Sequence, residues 1–330
     1  MRERPAPADS IHPLYVGRFA PTPSGPLHFG SLIAALGSAL EARCHGGRWL
    51  VRIEDVDTPR AAPGVAEAML ATLQRFGFEW DGEVLWQSRR AEVYAGALER
   101  LKAGGHVFPC ACSRRELAEV PDSTLVRDGS RRYPGTCRNG LPPGAGPRAW
   151  RVRAGGVVRF ADAVQGWQEE ELARDVGDYV VFRADGIFAY QLAVVVDDAE
   201  QGVTHVVRGA DLFGSTARQI HLQTLLGLPV PAYAHLPVAL SAAGEKLSKQ
   251  TLARAVDEGP PPSMLAAGLG FLGQNPPEGL SGASVKEVWA WARDNWNLGR
   301  VPRVLQLVAP TRVAGLTTEE AGLITRRQRL

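Results

Sequence analysis

No apolar run in this 330-residue chain approaches the ~20 residues that a membrane-spanning helix needs, and Met1 to Ser10 is charged and proline-rich without the apolar centre of a signal peptide. The expectation is a cytoplasmic protein. Charge of one sign is missing too. With 37 Lys and Arg against 35 Asp and Glu the net charge is +2, so composition argues neither for nor against a nucleic-acid partner. Only the local pairs Arg89-Arg90, Arg114-Arg115, Arg131-Arg132 and Arg326-Arg327 point to RNA, and surface solvation accounts for such pairs equally well. Cysteine is scarce, at four residues, which in a reducing compartment argues against a disulfide framework and leaves a clustered set pointing to metal or to nothing. There is no internal repeat. What remains is 45% hydrophobic and 22% charged, the make-up of an ordinary globular chain with room for about two domains and a sizeable core.

The stretch around which the chain is organised is Arg18-Phe-Ala-Pro-Thr-Pro-Ser-Gly-Pro-Leu-His-Phe-Gly-Ser31. Tyr15 and Val16 are the tail of an apolar strand, Pro21, Pro23 and Pro26 stop a ladder, and Gly25 permits a tight bend. Leu32, Ile33, Leu36 and Leu40 then recur at helical spacing, and Gly46-Gly47 ends the helix. A helix N-terminus approached through glycine suits a polyphosphate, and His28 and Thr22 are placed to donate to one. The plainer reading is a helix packed closely on a sheet, with His28 an ordinary surface histidine. Downstream, Glu245-Lys-Leu-Ser-Lys-Gln250 follows an expected strand from His235 to Leu240 and a turn at Ala243-Gly244, which puts two lysines on a surface loop.

Together these stretches resemble the two signatures of the class I aminoacyl-tRNA synthetases, the "HIGH" motif at His28-Phe-Gly-Ser31 and the "KMSKS" motif at Lys246-Leu-Ser-Lys-Gln250. Three further blocks resemble the glutamyl branch: Arg52-Ile-Glu-Asp-Val-Asp57, Phe188-Ala-Tyr-Gln-Leu-Ala-Val-Val-Val-Asp-Asp198 and Val207-Arg-Gly-Ala-Asp211. The similarity covers roughly residues 15 to 275 and is nearest to the short glutamyl-queuosine tRNA(Asp) synthetases, which lack the anticodon-binding half of glutamyl-tRNA synthetase. Ser31 stands where the class often has histidine, and Leu247 and Gln250 replace methionine and serine.

Along the chain, Trp49 to Ile53 alternates like a strand returning to a parallel sheet, with Glu54, Asp55 and Asp57 at its carboxyl end. Pro63 to Phe76 reads as a helix with Val65, Met69, Leu73 and Phe76 inward, and Ser88 as the cap of another running to Gly104-Gly105. Asn139 to Pro147 is loop, Ala149 to Phe160 alternates like an edge hairpin, and Asp185-Gly186 reads as a turn. Leu192 to Val196 is an apolar run suited to a buried strand, followed by a helix near Ser215 to Leu226. Two short helices follow Thr251, the second opened by a Ser284/Glu287 capping box and carrying Trp289 and Trp291, and the last thirty residues are weakly patterned. The expected division is a tail (1–10), the first half of a nucleotide-binding domain (11–109), an inserted subdomain (110–185), the second half with the lysine loop (186–250) and a short helical region with a tail (251–330).

The resemblance implies an α/β fold: a Rossmann-like catalytic domain with an inserted zinc-bearing subdomain of the acceptor-binding type and a short C-terminal helical region. It implies ATP-dependent activation of L-glutamate to glutamyl-adenylate and transfer to queuosine at the wobble position of tRNA(Asp). Such activation needs no enzymic nucleophile, because the substrate carboxylate attacks the α-phosphorus; the protein positions and neutralises, with Mg²⁺ accompanying ATP. His28, Lys246 and Lys249 would be catalytic, with His28, Gly30, Ser31 and Lys249 on ATP. Arg18, Ala20, Thr22, Glu54, Tyr190 and Arg208 would bind glutamate, the cations on carboxylates and Glu54 on the ammonium. Individually each has a bland reading as a surface ion, a partner of Arg52 or a core aromatic. Cys110, Cys112 and Cys137 are one ligand short of a closed zinc site; the family supplies a tyrosine, here Tyr133, while His106 and unliganded thiols are the rivals. Cys44 reads as a small packing residue. Only about eighty residues follow Lys249, too few for a helical anticodon domain, so the expected partner is the anticodon stem-loop of tRNA(Asp), bound by a monomer. The rivals are a shortened glutamyl-tRNA synthetase charging a 3′ end and a non-catalytic nucleotide- or RNA-binding relative.

Overall fold

The computed structural model describes residues 14–57, 61–120, 125–126, 131–247 and 255–310. Strand β1 (Val16–Phe19) stops before the prolines, and α1 (Phe29–Cys44) starts just after the last of them. The chain folds back at Gly46, in the left-handed region with φ 61°, and at Gly47, where a Cβ would run into the Tyr15 backbone. β2 (Arg48–Ile53) then pairs in parallel with β1, α2 (Val65–Arg75) packs Met69 and Leu73 inward, and β3 (Leu85–Trp86) pairs in parallel with β2. α3 (Ala91–Ala103) is not capped by Ser88: the cap position is Arg90, and Ser88 instead donates its N–H and hydroxyl to Asp55, at 2.8 and 2.6 Å.

The middle of the chain forms β4 (Val107–Cys110), α4 (Arg114–Ala118), β5 (Ala149–Val152), β6 (Val157–Asp162), β7 (Gly166–Glu171), α5 (Leu172–Asp175) and β8 (Tyr179–Phe182). The expected hairpin over Ala149 to Phe160 is not there. β5 is the centre of an antiparallel β4-β5-β8 sheet, whereas β6 makes its hairpin with β7. The alternation misled because it runs through Gly155-Gly156, where one strand ends and the next begins, with Gly156 at φ 81°.

Leu192 to Val196 is helix, not strand. It belongs to α6 (Tyr190–Glu200), whose residues from Leu192 to Asp198 are all buried. A helix surrounded by protein gives the same unbroken apolar run as a buried strand. β9 (His205–Gly209), a 3-10 turn, α7 (Thr216–Leu226) and β10 (Ala232–Leu236) follow. Pro237 splits the expected His235 to Leu240 strand, so that β10 ends at Leu236 and β11 (Val238–Leu240) leaves for another pairing. α8 (Pro261–Phe271) and α9 (Val285–Asn295) are the two later helices, and Ser284 and Glu287 close the capping box. Gln306–Val308 then forms β12, parallel to β11, so the weakly patterned end is ordered as far as the described residues reach.

β9, β10 and β6 are parallel neighbours, with β7 antiparallel at the edge. Thr204 joins this sheet to β1, donating its N–H to the Val16 carbonyl and accepting the Val16 N–H on its hydroxyl, both at 2.9 Å. The order across the molecule is therefore β3-β2-β1-β9-β10-β6-β7. Side chains alternate between two cores: Trp49 and Val51 pack with α1, α8 and α9, while Leu50 packs with α3, α6 and α7. This is a doubly wound sheet, and its switch point lies between β1 and β9, where a ligand crevice is expected at the carboxyl ends.

Candidate active site

A cavity of about 410 Å³ occupies that crevice. Arg18, Ala20, Thr22, His28, Gly30, Ser31, Glu54, Tyr190, Arg208 and Lys246 all line it. They come from the end of β1, the start of α1, the end of β2, the first residue of α6, β9 and the segment after β11. Lys249 and Gln250 lie outside the described residues.

The arginines are not surface ions. Arg18 and Arg208 are buried, and Arg52 behind them has no exposure at all. Arg52 meets Asp198 at 2.8 Å, Glu54 at 3.3 Å and the Gln201 side-chain carbonyl at 2.8 Å, while Arg18 Nε reaches Asp198 at 3.3 Å. Burial would raise the Asp198 pKa, but Arg18 and Arg52 outweigh it and hold the carboxyl below its ordinary range. For Glu54 burial wins over Arg52 and Arg18, and its pKa is raised. Burial, then the Glu54 charge, also raises that of Tyr190. Glu54 is thus both a partner of Arg52 and a wall of the cavity. Asp55 and Asp57 are not: Asp55 fixes Ser88, and Asp57 accepts from Arg183 at 2.7 Å.

Arg208 differs from its neighbours. Its Nε donates to His235 Nε2 at 2.9 Å and its Nη2 to Thr216 Oγ1 at 3.0 Å, while Nη1 is buried with no hydrogen-bond partner among the described residues. A buried guanidinium nitrogen left unpaired is costly unless a ligand completes it.

His28 is the N-cap of α1, its Nδ1 accepting the Ser31 N–H at 3.4 Å. The ring lies close over Gly30, where a Cβ would sit 3.1 Å from the imidazole and push it aside by a few tenths of an ångström. With Nδ1 accepting, donation to a phosphate would come from Nε2. Lys246 is drawn to the same rim by Asp211, at 2.8 Å. Asp211 lies inside a block read from the sequence, but its partnership with Lys246 has no sequence signal. The same holds for Asp162 and His235.

Away from the cavity, Cys110, Cys112 and Cys137 bring their sulfurs within 4.8 Å of one another. Tyr133 Oη lies 3.4 Å from Cys110 Sγ and 3.5 Å from Cys112 Sγ, and accepts the Cys137 N–H at 2.9 Å. His106 is not in the group; its ring folds against Gly104. Arg151 caps the cluster, with Nε on Cys110 Sγ at 3.3 Å and its guanidinium 4.0 Å above the Tyr133 ring. Cys44 is no packing residue: it is exposed, its thiol 3.5 Å from the Arg293 carbonyl.

Among the described residues no helix is long and apolar enough to cross a membrane. Residues 15–290 match the family model for class I tRNA synthetases (E and Q), catalytic domain. Over 302 residues the chain is 67% identical to a glutamyl-Q tRNA(Asp) synthetase of Aromatoleum aromaticum, covering 92% of this chain and 95% of that one. A protein of the same name from Dechloromonas aromatica is 57% identical over 297 residues, covering 90% and 98% of the two chains. The fold is also that of a glutamate-tRNA synthetase structure from Elizabethkingia anophelis, with a TM-score of 0.73 at 22% identity over 96% of this chain and 70% of that one.

Proposed function

This chain belongs to the family of class I tRNA synthetases for glutamate and glutamine, and on that premise we propose that it activates L-glutamate with ATP and transfers the glutamyl group to queuosine of tRNA(Asp). The observation that carries the reading is Arg208, a buried guanidinium with one nitrogen unpaired among the described residues, in the same cavity as Glu54 and Arg18. A dicarboxylate with an ammonium is the ligand whose charges answer that set.

Arg208 takes one substrate carboxylate and favours glutamate over neutral glutamine by charge. Arg18, anchored through Nε on Asp198, and the backbone at Ala20 and Thr22 receive the other, Glu54 receives the ammonium, and Tyr190 covers the aliphatic chain. ATP lies across the first turn of α1, where the dipole and the N–H groups near Gly30 and Ser31 favour phosphate and His28 donates to it. Lys246 and Lys249 neutralise charge on the phosphates, and Mg²⁺ brought with ATP supplies the remaining countercharge.

The cysteine cluster fits one structural Zn²⁺ held by Cys110, Cys112, Cys137 and Tyr133. With Zn–S near 2.3 Å, tetrahedral sulfurs sit about 3.8 Å apart, and Cys112 and Cys137 lie 3.6 Å apart here. Those residues would hold the ion between the end of β4 and the segment carrying Tyr133 and Cys137, where the Arg151 charge would offset the thiolates. The surface around Arg131 and Arg132 holds the anticodon stem-loop by its phosphates, and the enzyme works as a cytoplasmic monomer.

The test is incubation with labelled glutamate, ATP and total tRNA, followed by nuclease mapping. Label on the queuosine nucleotide of tRNA(Asp) is expected; label on a terminal adenosine would establish the shortened-synthetase rival.

A further inference from the structure

Asp162 and His235 lie 73 positions apart and meet with both side chains wholly buried, Nδ1 to Oδ2 at 2.6 Å. Asp162 closes β6, and its other oxygen accepts the backbone N–H groups of Val164, Gln165 and His235 at 3.0, 2.8 and 3.1 Å, so the carboxylate cannot swing away. His235 lies in β10. The Phe213 ring meets it edge-on at 5.0 Å and the Tyr233 ring lies parallel to it at 6.1 Å, which fixes its plane.

The far nitrogen of the imidazole settles its protonation. Arg208 Nε has only a hydrogen to offer, so His235 Nε2, 2.9 Å away, must present a lone pair, and the proton sits on Nδ1 facing Asp162. Thr216 Oγ1 closes the triangle, 3.0 Å from Arg208 Nη2 and 3.2 Å from His235 Nε2. A neutral imidazole therefore satisfies Nε of Arg208 without cancelling its charge. Arg18 and Arg52, by contrast, are both bonded to the Asp198 carboxylate. Among the described residues Arg208 has no carboxylate partner, and it is the one of the three with a terminal nitrogen buried and unpaired.

We infer that Asp162 and His235 are positioning residues for Arg208: a neutral histidine, held in one tautomer by a buried aspartate, aims the guanidinium into the cavity and leaves its full positive charge for the substrate carboxylate. The inference rests on the reading of Arg208 as the carboxylate receptor. The charged or titratable groups facing His235 are Asp162 from β6, Arg208 from β9, Asp211 just after β9 and Tyr233 from its own strand. Burial, foremost, lowers the His235 pKa to about 4, with Asp162 opposing and Arg208 assisting. The neutral form, and with it the arrangement, persists at ordinary pH.

The decisive comparison is His235→Gln with His235→Glu. Both offer an oxygen to Arg208 Nε, but only the second brings a charge that competes with substrate. In ATP–pyrophosphate exchange, His235→Gln is expected to hold the glutamate KM within about threefold of the parent, and His235→Glu to raise it by about tenfold to a hundredfold, the scale for a hydrogen bond to a charged group. The ATP KM should stay put in both. Equal glutamate KM values for two folded variants would overturn the inference, as a merely structural histidine does not distinguish them. Imidazole ¹⁵N resonances of the unaltered protein give an answer that needs neither activity nor a folded variant. A neutral ring protonated on Nδ1 from pH 5 to 8 supports the arrangement, and protonation on Nε2 or titration near 6.5 refutes it. A protein with the Nδ1 signature but no glutamate-dependent exchange would refute the substrate reading and leave the tautomer lock standing.

Discussion

Arg52 and Asp198 meet at 2.8 Å, the first at the end of β2 and the second in the last turn of α6, and neither side chain is open to solvent. Through this pair the helix that carries Tyr190 is tied to the strand that leads into Glu54. Asp198→Ala would leave both Arg52 and Arg18 short of their carboxylate. Chemical denaturation should show a loss of about 3–5 kcal/mol, the usual penalty for breaking a buried pair from one side. A loss below about 1 kcal/mol would mean that water reaches the network.

Arg208→Ala removes the one guanidinium in the cavity that has no carboxylate partner among the described residues. Glutamate-dependent exchange should fall by at least two orders of magnitude while the response to glutamine stays near its starting level, so discrimination collapses from the glutamate side. An unchanged ratio of the two rates would place the selective contact elsewhere.

The lysines should separate by role. Lys249→Ala is expected to lower the exchange rate by about two to three orders of magnitude with little change in glutamate affinity, the scale for a lost electrostatic donor in the transition state. Asp211→Asn, which releases Lys246 from its 2.8 Å partner, should act more mildly and mainly on the ATP KM. Identical kinetic signatures for the two variants would undo this division.

Purified protein should carry about one zinc per chain by elemental analysis. Cys137→Ser should lose it and loosen the β4-β5-β8 region, seen as faster amide exchange there, with the parallel sheet still protected. Fully active protein without metal would favour unliganded thiols.

A stem-loop that carries queuosine should be glutamylated nearly as well as whole tRNA(Asp), and its unmodified guanosine counterpart not at all, because positioning by phosphates and reading of one exposed base suffice. Efficient charging of an acceptor-stem minihelix would reverse the assignment of the RNA surface.

Features that act locally were legible in the sequence. Prolines at 21, 23 and 26, Gly30 beside His28 and Gly46-Gly47 dictate strand end, cap and turn within a few residues, so the cavity floor could be read directly. Cysteine spacing likewise found the cluster, because Cys110 and Cys112 are neighbours in sequence and Tyr133 and Cys137 lie within one turn, the Cys137 N–H bonding the Tyr133 hydroxyl. Where three-dimensional surroundings decide, the reading failed. Val194, Val195 and Val196 favour strand by intrinsic preference, yet they sit in a helix buried on all sides, whose next two residues, Asp197 and Asp198, pair with Arg90 and Arg52. Ser88 looked like a cap, but Asp55 competes for it. No spacing could reveal Asp162 beside His235.

β11 lies between two neighbours that arrive from opposite directions along the chain. On one side β12 runs parallel to it and the Ala309 N–H reaches Leu240; on the other, Lys246 bridges back to Leu240 and the Leu247 N–H bonds Ala239. The lysine segment therefore leaves from a splinted base, with three separate stretches sharing one short seam. A protein cut after residue 300 would retain every cavity side chain named here and lose half of that splint. The stretch carrying Lys246 and Leu247 would then keep one of its two supports, and an exchange rate that falls while both KM values hold would report the loss.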